Sequence, residues 1–434
     1  MTSRSRIPGF YRLDLPTRHA ELQARFGLTD DELAVLREPG SLDCHRADKM
    51  VENCVGVFGL PIGLGLNFRV NGHDYAVPMV VEEPSVVAAV SHIARLVFAA
   101  GGFRAEADRS VMISQVQVVD VPDMEAATAA LEGARAQLLA RANAVHPSLA
   151  ARGGGAHDIE VRPFGAPYPM LVLHLLVDCV DAMGANAVNA MAEGVAPLVE
   201  ALTGGRVCLR ILSNLADRRC ARAWCAVPDA ALAGRGFEGA DVAEGIVQAW
   251  RFAAIDPYRA ATHNKGIMNG IDAVAIATGN DWRGVEAGAH AYAARSGRYT
   301  SLTEWRYERG LLHGFIDLPL AVGTVGGSTR VHPAVQVCRR ILGIDDAREL
   351  AMVMAAVGLA QNFGALKALA SEGIQRGHMS LHARQVALAA GAEGEWVDRV
   401  AEALVLGGEI GEAAARRALA HLQATDLHGG GERA

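Results

Sequence analysis

The sequence predicts an α+β protein: a large helical and mixed domain, an inserted ferredoxin-like unit of order β-α-β-β-α-β, and a helical C-terminal segment. Two observations carry that reading. Residues 110–214 hold four strand-like runs and two helical ones in that order. The regions on either side are dominated by Ala- and Gly-rich stretches of helical character. With 434 residues and 51% hydrophobic content the chain can build two or three domains with substantial cores. Its 47 glycines let helices approach closely.

The elements follow in order. Residues 1–109 mix short helices with a strand-like stretch around Leu66–Val80, which turns at Asn71-Gly72. Val86–Ala100 reads as a helix stopped by Gly101-Gly102. Val111–Val119 alternates as a strand, and Met124–Ala142 is helical. A Gly153-Gly154-Gly155 break precedes two strands, Ile159–Pro163 and Met170–Val180. Ala185–Leu202 is a helix and Arg206–Leu212 a strand. Residues 215–375 return to helical segments, so 110–214 reads as an insertion between 1–109 and 215–375. Residues 376–434 are helical with charge clusters and end in a Gly-rich run.

Composition narrows the function classes. The net charge of −7 comes from interspersed acidic and basic residues, which argues against nucleic acid or an anionic membrane as partner. No apolar run of about eighteen residues is evident, and residues 1–10 lack a secretory apolar core. The seven cysteines (44, 54, 179, 208, 220, 225 and 338) show no C-x-x-C spacing. Neither a disulfide framework nor a zinc site is suggested. A soluble cytoplasmic protein is the expectation.

The most informative stretch is Ala261-Thr-His-Asn-Lys265-Gly-Ile-Met-Asn269-Gly-Ile-Asp272, followed by Ala277-Thr-Gly-Asn-Asp281-Trp. One lysine stands among small, apolar and amide residues and is expected to be buried. Such an ammonium needs a carboxylate partner, and held rigidly it can polarise a carbonyl oxygen as that oxygen becomes an alkoxide. A purely structural Lys265–Asp281 salt bridge is the alternative. Glu83, in Val81-Glu82-Glu83-Pro84-Ser85, follows a strand and begins a helix. It reads either as surface charge favoured by the helix dipole or as an acid–base group.

No G-x-G-x-x-G follows a strand, since Gly63-Leu-Gly65 lacks the third glycine; this argues against a Rossmann domain. The candidate phosphate site is Asp181-Ala-Met183-Gly184-Ala-Asn186, where a strand meets a helix start. An ordinary cap with a packing glycine is the alternative there. His378 and His382 are four apart and share a helix face, but no third metal ligand is evident and a metal pair is rejected. His378 instead suits protonation of a leaving group near neutral pH.

Asp256-Pro-Tyr-Arg259-Ala-Ala-Thr-His-Asn-Lys265-Gly-Ile-Met-Asn269-Gly resembles the signature of 3-hydroxy-3-methylglutaryl-CoA (HMG-CoA) reductases of the bacterial, class II type. Four further segments point the same way, in the family's order: Glu52-Asn-Cys-Val-Gly, Val81-Glu-Glu83-Pro-Ser85, Asp181-Ala-Met-Gly-Ala-Asn186, and Glu372-Gly-Ile-Gln-Arg-Gly-His378-Met-Ser-Leu-His. The likeness covers roughly residues 6 to 400.

The resemblance implies a catalytic set of Glu83, Lys265, Asp281 and His378, with Lys265 oriented by Asp281 and Glu83. It implies Ser85, Arg259, Asn269 and Asn362 around the hydroxymethylglutaryl moiety. Asp181, Met183, Gly184, Asn186 and Asn214 would contact a dinucleotide. At the position of an acidic residue in NADH-using relatives stands His146, so cofactor choice is open. NAD(H) is favoured over NADP(H) because no arginine pair lies in that segment.

The family layout is a large dimer-forming domain, an inserted dinucleotide-binding domain and a C-terminal flap. A homodimer with a shared active site follows, with assembly into hexamers allowed. The substrates are HMG-CoA, mevalonate and CoA, and no metal is required. The expected reaction is reduction of the thioester by two hydrides, through a hemithioacetal and bound mevaldehyde. The same chemistry run as mevalonate oxidation stays open. A CoA-thioester hydrolase using His378 and a cysteine is the remote alternative, and no cysteine has an activating context.

Overall fold

A computed structural model describes residues 4–37, 42–234, 236–371 and 373–429. Helices α1 (Leu15–Phe26), α2 (Asp30–Arg37) and α3 (Cys44–Met50) open the chain. An antiparallel hairpin of β1 (Ile62–Val70) and β2 (His73–Val80) follows, turning at Asn71-Gly72. Then come α4 (Val86–Ala99) and the short strand β3 (Arg104–Ala107).

The next unit comprises β4 (Val111–Val119), α5 (Met124–Gly133), α6 (Arg135–Val145), α7 (Pro147–Ala150), β5 (Gly155–Phe164), β6 (Met170–Asp178), α8 (Ala185–Thr203) and β7 (Arg206–Ser213). Its antiparallel sheet has the order β5-β6-β4-β7. The inward residues of β4 and β6, among them Val116, Val118, Leu173 and Leu175, meet α8 through Val188, Met191 and Val195 in a core of their own. The single helix expected over Met124–Ala142 is two helices that change direction at Ala134, where Gly133 ends the first.

Residues 215–375 depart from the helical expectation. They contain β8 (Cys220–Pro228), β9 (Thr303–Glu308) and β10 (Leu311–Pro319), which join β3 in a second antiparallel sheet of order β3-β8-β10-β9. The alternation on β8 is hard to see because its inward side chains are small: Ala221, Ala223 and Cys225 are buried while Arg222 and Trp224 face outward. The helices here are α9 (Gly239–Ile255), α10 (Pro257–Ala277), α11 (Trp282–Ala293), α12 (Pro333–Leu342) and α13 (Ala347–Leu369). The chain closes with α14 (Ile374–Ala389), α15 (Trp396–Gly407) and α16 (Glu412–Gly429).

The centre of the largest core is α13, with Val353, Met354, Ala355, Ala356, Val357, Leu359 and Ala360 fully buried. Its 23 residues correct the expectation that no apolar run is long enough to span a bilayer. By length and composition this helix qualifies, yet 78% of the relevant window is buried inside the protein. Helix α10 crosses α13 closely: a Cβ on Gly270 would stand 3.1 Å from Gln361 and Val357, and one on Gly358 would stand 2.7 Å from Ile271. That contact packs the helix carrying Lys265 against the helix at the centre of the largest core.

Candidate active site

Helix α10 starts where the Asp256 carboxylate accepts from the Tyr258 N–H at 3.0 Å, with Pro257 in the first turn. One face packs inward through Ala260, His263, Asn264, Ile267, Met268 and Ile271. The opposite stripe carries Thr262, Lys265, Asn269, Asp272 and Ile276, at helical spacings of three and four. Across it lies Glu83, just beyond β2. Lys265 Nζ donates to Glu83 Oε2 at 2.8 Å, and Asn269 Nδ2 donates to the same oxygen at 3.3 Å.

The turn that presents Glu83 is built from Pro84 and from Ser85, whose φ of 75° is unusual for a residue with a Cβ. Such a conformation costs about 1–3 kcal/mol and persists only where its surroundings enforce it. It sets the entry of α4 and with it the aim of the preceding carboxylate.

Lys265 is not buried in this chain. Its side chain is 60% exposed and that of Glu83 is 38% exposed. The apolar neighbours that suggested burial occupy the other face of α10. The lysine is therefore a presented charge, held at its tip by one carboxylate.

Asp281 does not reach it. It stands at the N-cap position of α11 without a side-chain capping bond, its carboxylate 3.0 Å from Arg283 Nη2. Twelve residues of helix separate Lys265 from Ala277, about 18 Å of axial rise. The expectation that Asp281 orients Lys265 of the same chain is thus not met within one chain.

Asn362, expected at the substrate, lies on α13 behind α10. Its Oδ1 accepts from Thr303 Oγ1 (3.0 Å) and Trp305 Nε1 (2.9 Å), and its Nδ2 meets His263 Nε2 at 3.1 Å. The amide is buried and committed to this internal network. Burial, and then the nearby Arg259 charge, push the His263 pKa down to about 3, so this imidazole stays neutral and accepts. Arg259 itself is half-buried and makes no hydrogen bond or ion pair among the described residues. It is a guanidinium available to a carboxylate ligand.

A second group of expected residues gathers at the other end of α10. Asp181 O accepts from Thr324 N at 2.8 Å, and Asp181 Oδ1 accepts from Ala347 N at 3.2 Å. The Asp181 carboxylate thus ties its loop to the start of α13. Met183 and Gly184 follow, and Gly184 (φ 98°) stands at the N-terminus of α8 with no side-chain cap. A Cβ there would meet Cys179 Sγ at 2.2 Å, so only glycine fits. Asn186 is exposed in the first turn.

Asn214 follows β7. A Cβ on Gly284 would lie 3.0 Å from Asp281 Oδ2 and 3.4 Å from Asn214 Oδ1, so these two polar side chains are neighbours. Asn280 Oδ1 accepts from Gly323 N at 2.7 Å and links the Asp281 turn to the strip beside Asp181. His146 joins α6 to α7 apart from this group: its neighbour Val145 packs on Gly194, roughly 14 Å along α8 from Ala185. His378 falls within α14, and its side chain lies outside the described residues.

Sequence reasoning passed over two features. One is Arg219, buried behind residues 182–183; strand alternation from β8 backwards was the signal that one of the adjacent Arg218 and Arg219 must face inward. The other is a carboxyl–carboxylate–imidazole series on α10 and α11. Asp272 is hydrogen-bonded to Glu286, Glu286 Oε2 lies 2.5 Å from His290 Nε2, and His290 Nδ1 lies 2.6 Å from Tyr299 OH. Burial, and then Glu286, hold the Asp272 carboxyl well above the ordinary range. Cys179 is pushed up to about 11 by burial, and Cys220, Cys225 and Cys338 to about 12, so none of these thiols is an activated nucleophile.

Comparison with known proteins agrees in its result. The family model described as hydroxymethylglutaryl-coenzyme A reductase matches residues 15–383. The 3-hydroxy-3-methylglutaryl-coenzyme A reductase of Archaeoglobus fulgidus is 51% identical over 408 residues, 94% of this chain and 92% of that one. A probable enzyme of the same name from Borreliella burgdorferi is 34% identical over 337 residues, 78% of this chain and 77% of that one. Among solved structures, the Streptococcus pneumoniae reductase superposes with a TM-score of 0.82 at 42% identity, covering 96% of this chain and 99% of that one. A class II form of the S. pneumoniae enzyme bound to NADPH, in open conformations, gives 0.81 at 43% identity over 84% of this chain and 99% of that one.

The architecture and the matched family are those of an oxidoreductase. This chain belongs to the hydroxymethylglutaryl-coenzyme A reductase family.

Proposed function

We propose that the chain is a class II HMG-CoA reductase, a homodimer whose active sites each draw on both subunits, in the cytoplasm as its composition suggests. The observation that carries this is the separation within one chain of the Glu83–Lys265–Asn269 cluster from Asp281. A two-fold partner whose Asp281 end faces the Lys265 cluster would complete two equivalent sites. The loop of the Glu52-Asn53-Cys54 motif supports this, for Val55 and Phe58 stand fully and almost fully exposed. On this reading residues 1–109 with 215–375 form the catalytic and dimerisation domain, 110–214 a ferredoxin-like dinucleotide domain and 376–434 the flap; assembly into hexamers is compatible with it.

The cofactor is read as a nicotinamide dinucleotide at the start of α8, with NADH favoured for want of an arginine pair near His146. The fit is physical: Gly184 leaves the first-turn N–H groups uncapped, as an anion requires. When bound, the cofactor supplies the two hydrides. Lys265 Nζ, with a donor face turned to solvent, stabilises the thioester oxygen as it becomes anionic. Collapse of the hemithioacetal releases the thiolate, which His378 protonates to CoA thiol. Glu83 gives the proton that completes the alcohol, and its contact with Lys265 moderates the lysine charge between steps. Arg259 and Ser85 hold the hydroxymethylglutaryl group.

Two inactive variants, Lys265→Met and Asp281→Asn, test the shared site when unfolded and refolded together. Random pairing makes half the dimers mixed, each with one intact site, so about a quarter of wild-type activity should return. No recovery would mean that each chain is catalytically self-contained. Parallel assays at the nicotinamide absorbance band with NADH and NADPH decide the cofactor.

A further inference from the structure

Arg219 is buried to 4% exposure, immediately before β8. Its Nη1 donates to Ala182 O and to Met183 O, each at 3.2 Å, and its Nη2 donates to Val322 O. It forms no ion pair among the described residues. The two carboxylates in its vicinity are committed elsewhere: Asp178 Oδ2 accepts from Arg109 Nε at 2.9 Å, and Asp181 Oδ1 accepts from Ala347 N. The Cys179 thiol stays neutral at working pH. The core thus holds a guanidinium whose direct hydrogen bonds among the described residues all go to carbonyls, with Asp178 and Asp181 acting on it only through space, and such a buried cation is costly.

The geometry of its partners gives that cost a use. A trans peptide sets each C=O antiparallel to the following N–H. Carbonyls 182 and 183 turn toward Arg219, so the N–H groups of Met183 and Gly184 turn away from it. Beyond them the N–H groups of Gly184, Ala185 and Asn186 have no acceptor within the chain among the described residues. From the other side Gly323 abuts the segment so closely that a Cβ there would stand 2.4 Å from Met183 N. The loop is gripped on two sides, with its donors left for an anion.

We propose that Arg219 is a positioning residue for the dinucleotide phosphates: it holds residues 182–184 in the anion-accepting conformation and supplies the buried positive charge that the bound phosphates balance. This rests on reading 181–186 as the cofactor segment. Arg219→Lys keeps the charge but loses the fork that spans three carbonyls. Gly323→Ala leaves Arg219 intact and displaces the same segment.

In each purified variant the KM for the nicotinamide cofactor should rise tenfold or more. The KM for HMG-CoA should stay within about twofold, and kcat at saturating cofactor within about threefold. Inorganic pyrophosphate should compete with the cofactor in wild type and lose that ability in both variants, while competition by adenosine, which carries no phosphate, is unchanged. A merely structural role would raise both KM values together. That outcome, or an unmoved cofactor KM, overturns the proposal. If Arg219→Lys fails to fold, Gly323→Ala decides by the same split. A wild-type protein that turns over neither NADH nor NADPH would overturn the reading of the site itself, and this inference with it.

Discussion

Replacing Lys265 by Met separates catalysis from stability more sharply than any other change in this molecule. The ammonium makes one ion pair, 2.8 Å from Glu83 Oε2, and its side chain is 60% exposed. Exposed pairs of this kind contribute about 0–1 kcal/mol. The methylene stem, which Met retains, covers little apolar surface. Unfolding stability should therefore fall by less than about 1 kcal/mol, moving Tm by no more than ~2–4 °C. The transition state loses a donor aimed at a developing oxyanion, which costs on the order of 10²–10³ in kcat, or ~2.7–4 kcal/mol. The assay pairs a thermal melt with single-turnover HMG-CoA reduction followed at the nicotinamide band. Near-normal turnover would remove Lys265 from the mechanism. A collapse of Tm alongside activity would mean that the charge is structural, and that the exposure deduced from one chain misrepresents its role.

His378, Glu83 and the buried carboxyl pair yield further tests. His378→Gln should cripple HMG-CoA reduction while leaving reduction of free mevaldehyde much less affected, because no thiolate departs from the aldehyde; equal losses on both substrates would place the histidine at the carbonyl. Glu83→Gln should damage both reactions, and an effect confined to the thioester would reassign it. Asp272, its carboxyl raised by burial and by Glu286, enters the folded protein protonated. Its contribution is therefore complete below the ordinary carboxyl range and is lost as pH rises, by at most ~1.4 kcal/mol per pH unit. Glu286 is shifted the opposite way, chiefly by His290, and offsets part of this. Asp272→Asn should accordingly melt with a flatter pH dependence between pH 5.5 and 8.5 than wild type, and parallel curves would disprove the protonated assignment.

What could be read from the chain depended on how loudly periodicity spoke. Val111–Val119 announces itself because bulky residues alternate, and the observed strand has those bounds. Cys220–Pro228 is silent because, apart from Val227, its inward residues are alanine and cysteine, which do not stand out from an Ala-rich background. At Lys265 local composition points inward whereas helical phase points outward. The apolar residues of α10 fall on one side, and the recurrence of Thr262, Lys265, Asn269 and Asp272 at intervals of three and four was the sign that the lysine faces outward. Arg219 bears no motif; alternation back from β8 hints that an arginine turns inward, but what it holds shows only in the three-dimensional path of residues 182–183 and 322. Asp281 shows the opposite limit: its motif was legible, whereas its distance from Lys265 is a property of helix length.

The crossing of α10 and α13 acts as a fulcrum. Lys265 lies five residues before Gly270, about 7.5 Å along the axis from the point of closest approach. A tilt of only ~10° about that point would swing the ammonium by ~1.3 Å, and a misplacement near 1 Å can cost a hundredfold in rate. One methyl group on Gly358, pressing on Ile271 at 2.7 Å, is well placed to produce such a tilt. The reach of the lysine is thus governed from inside the core, by two residues that possess no side chain and touch no substrate.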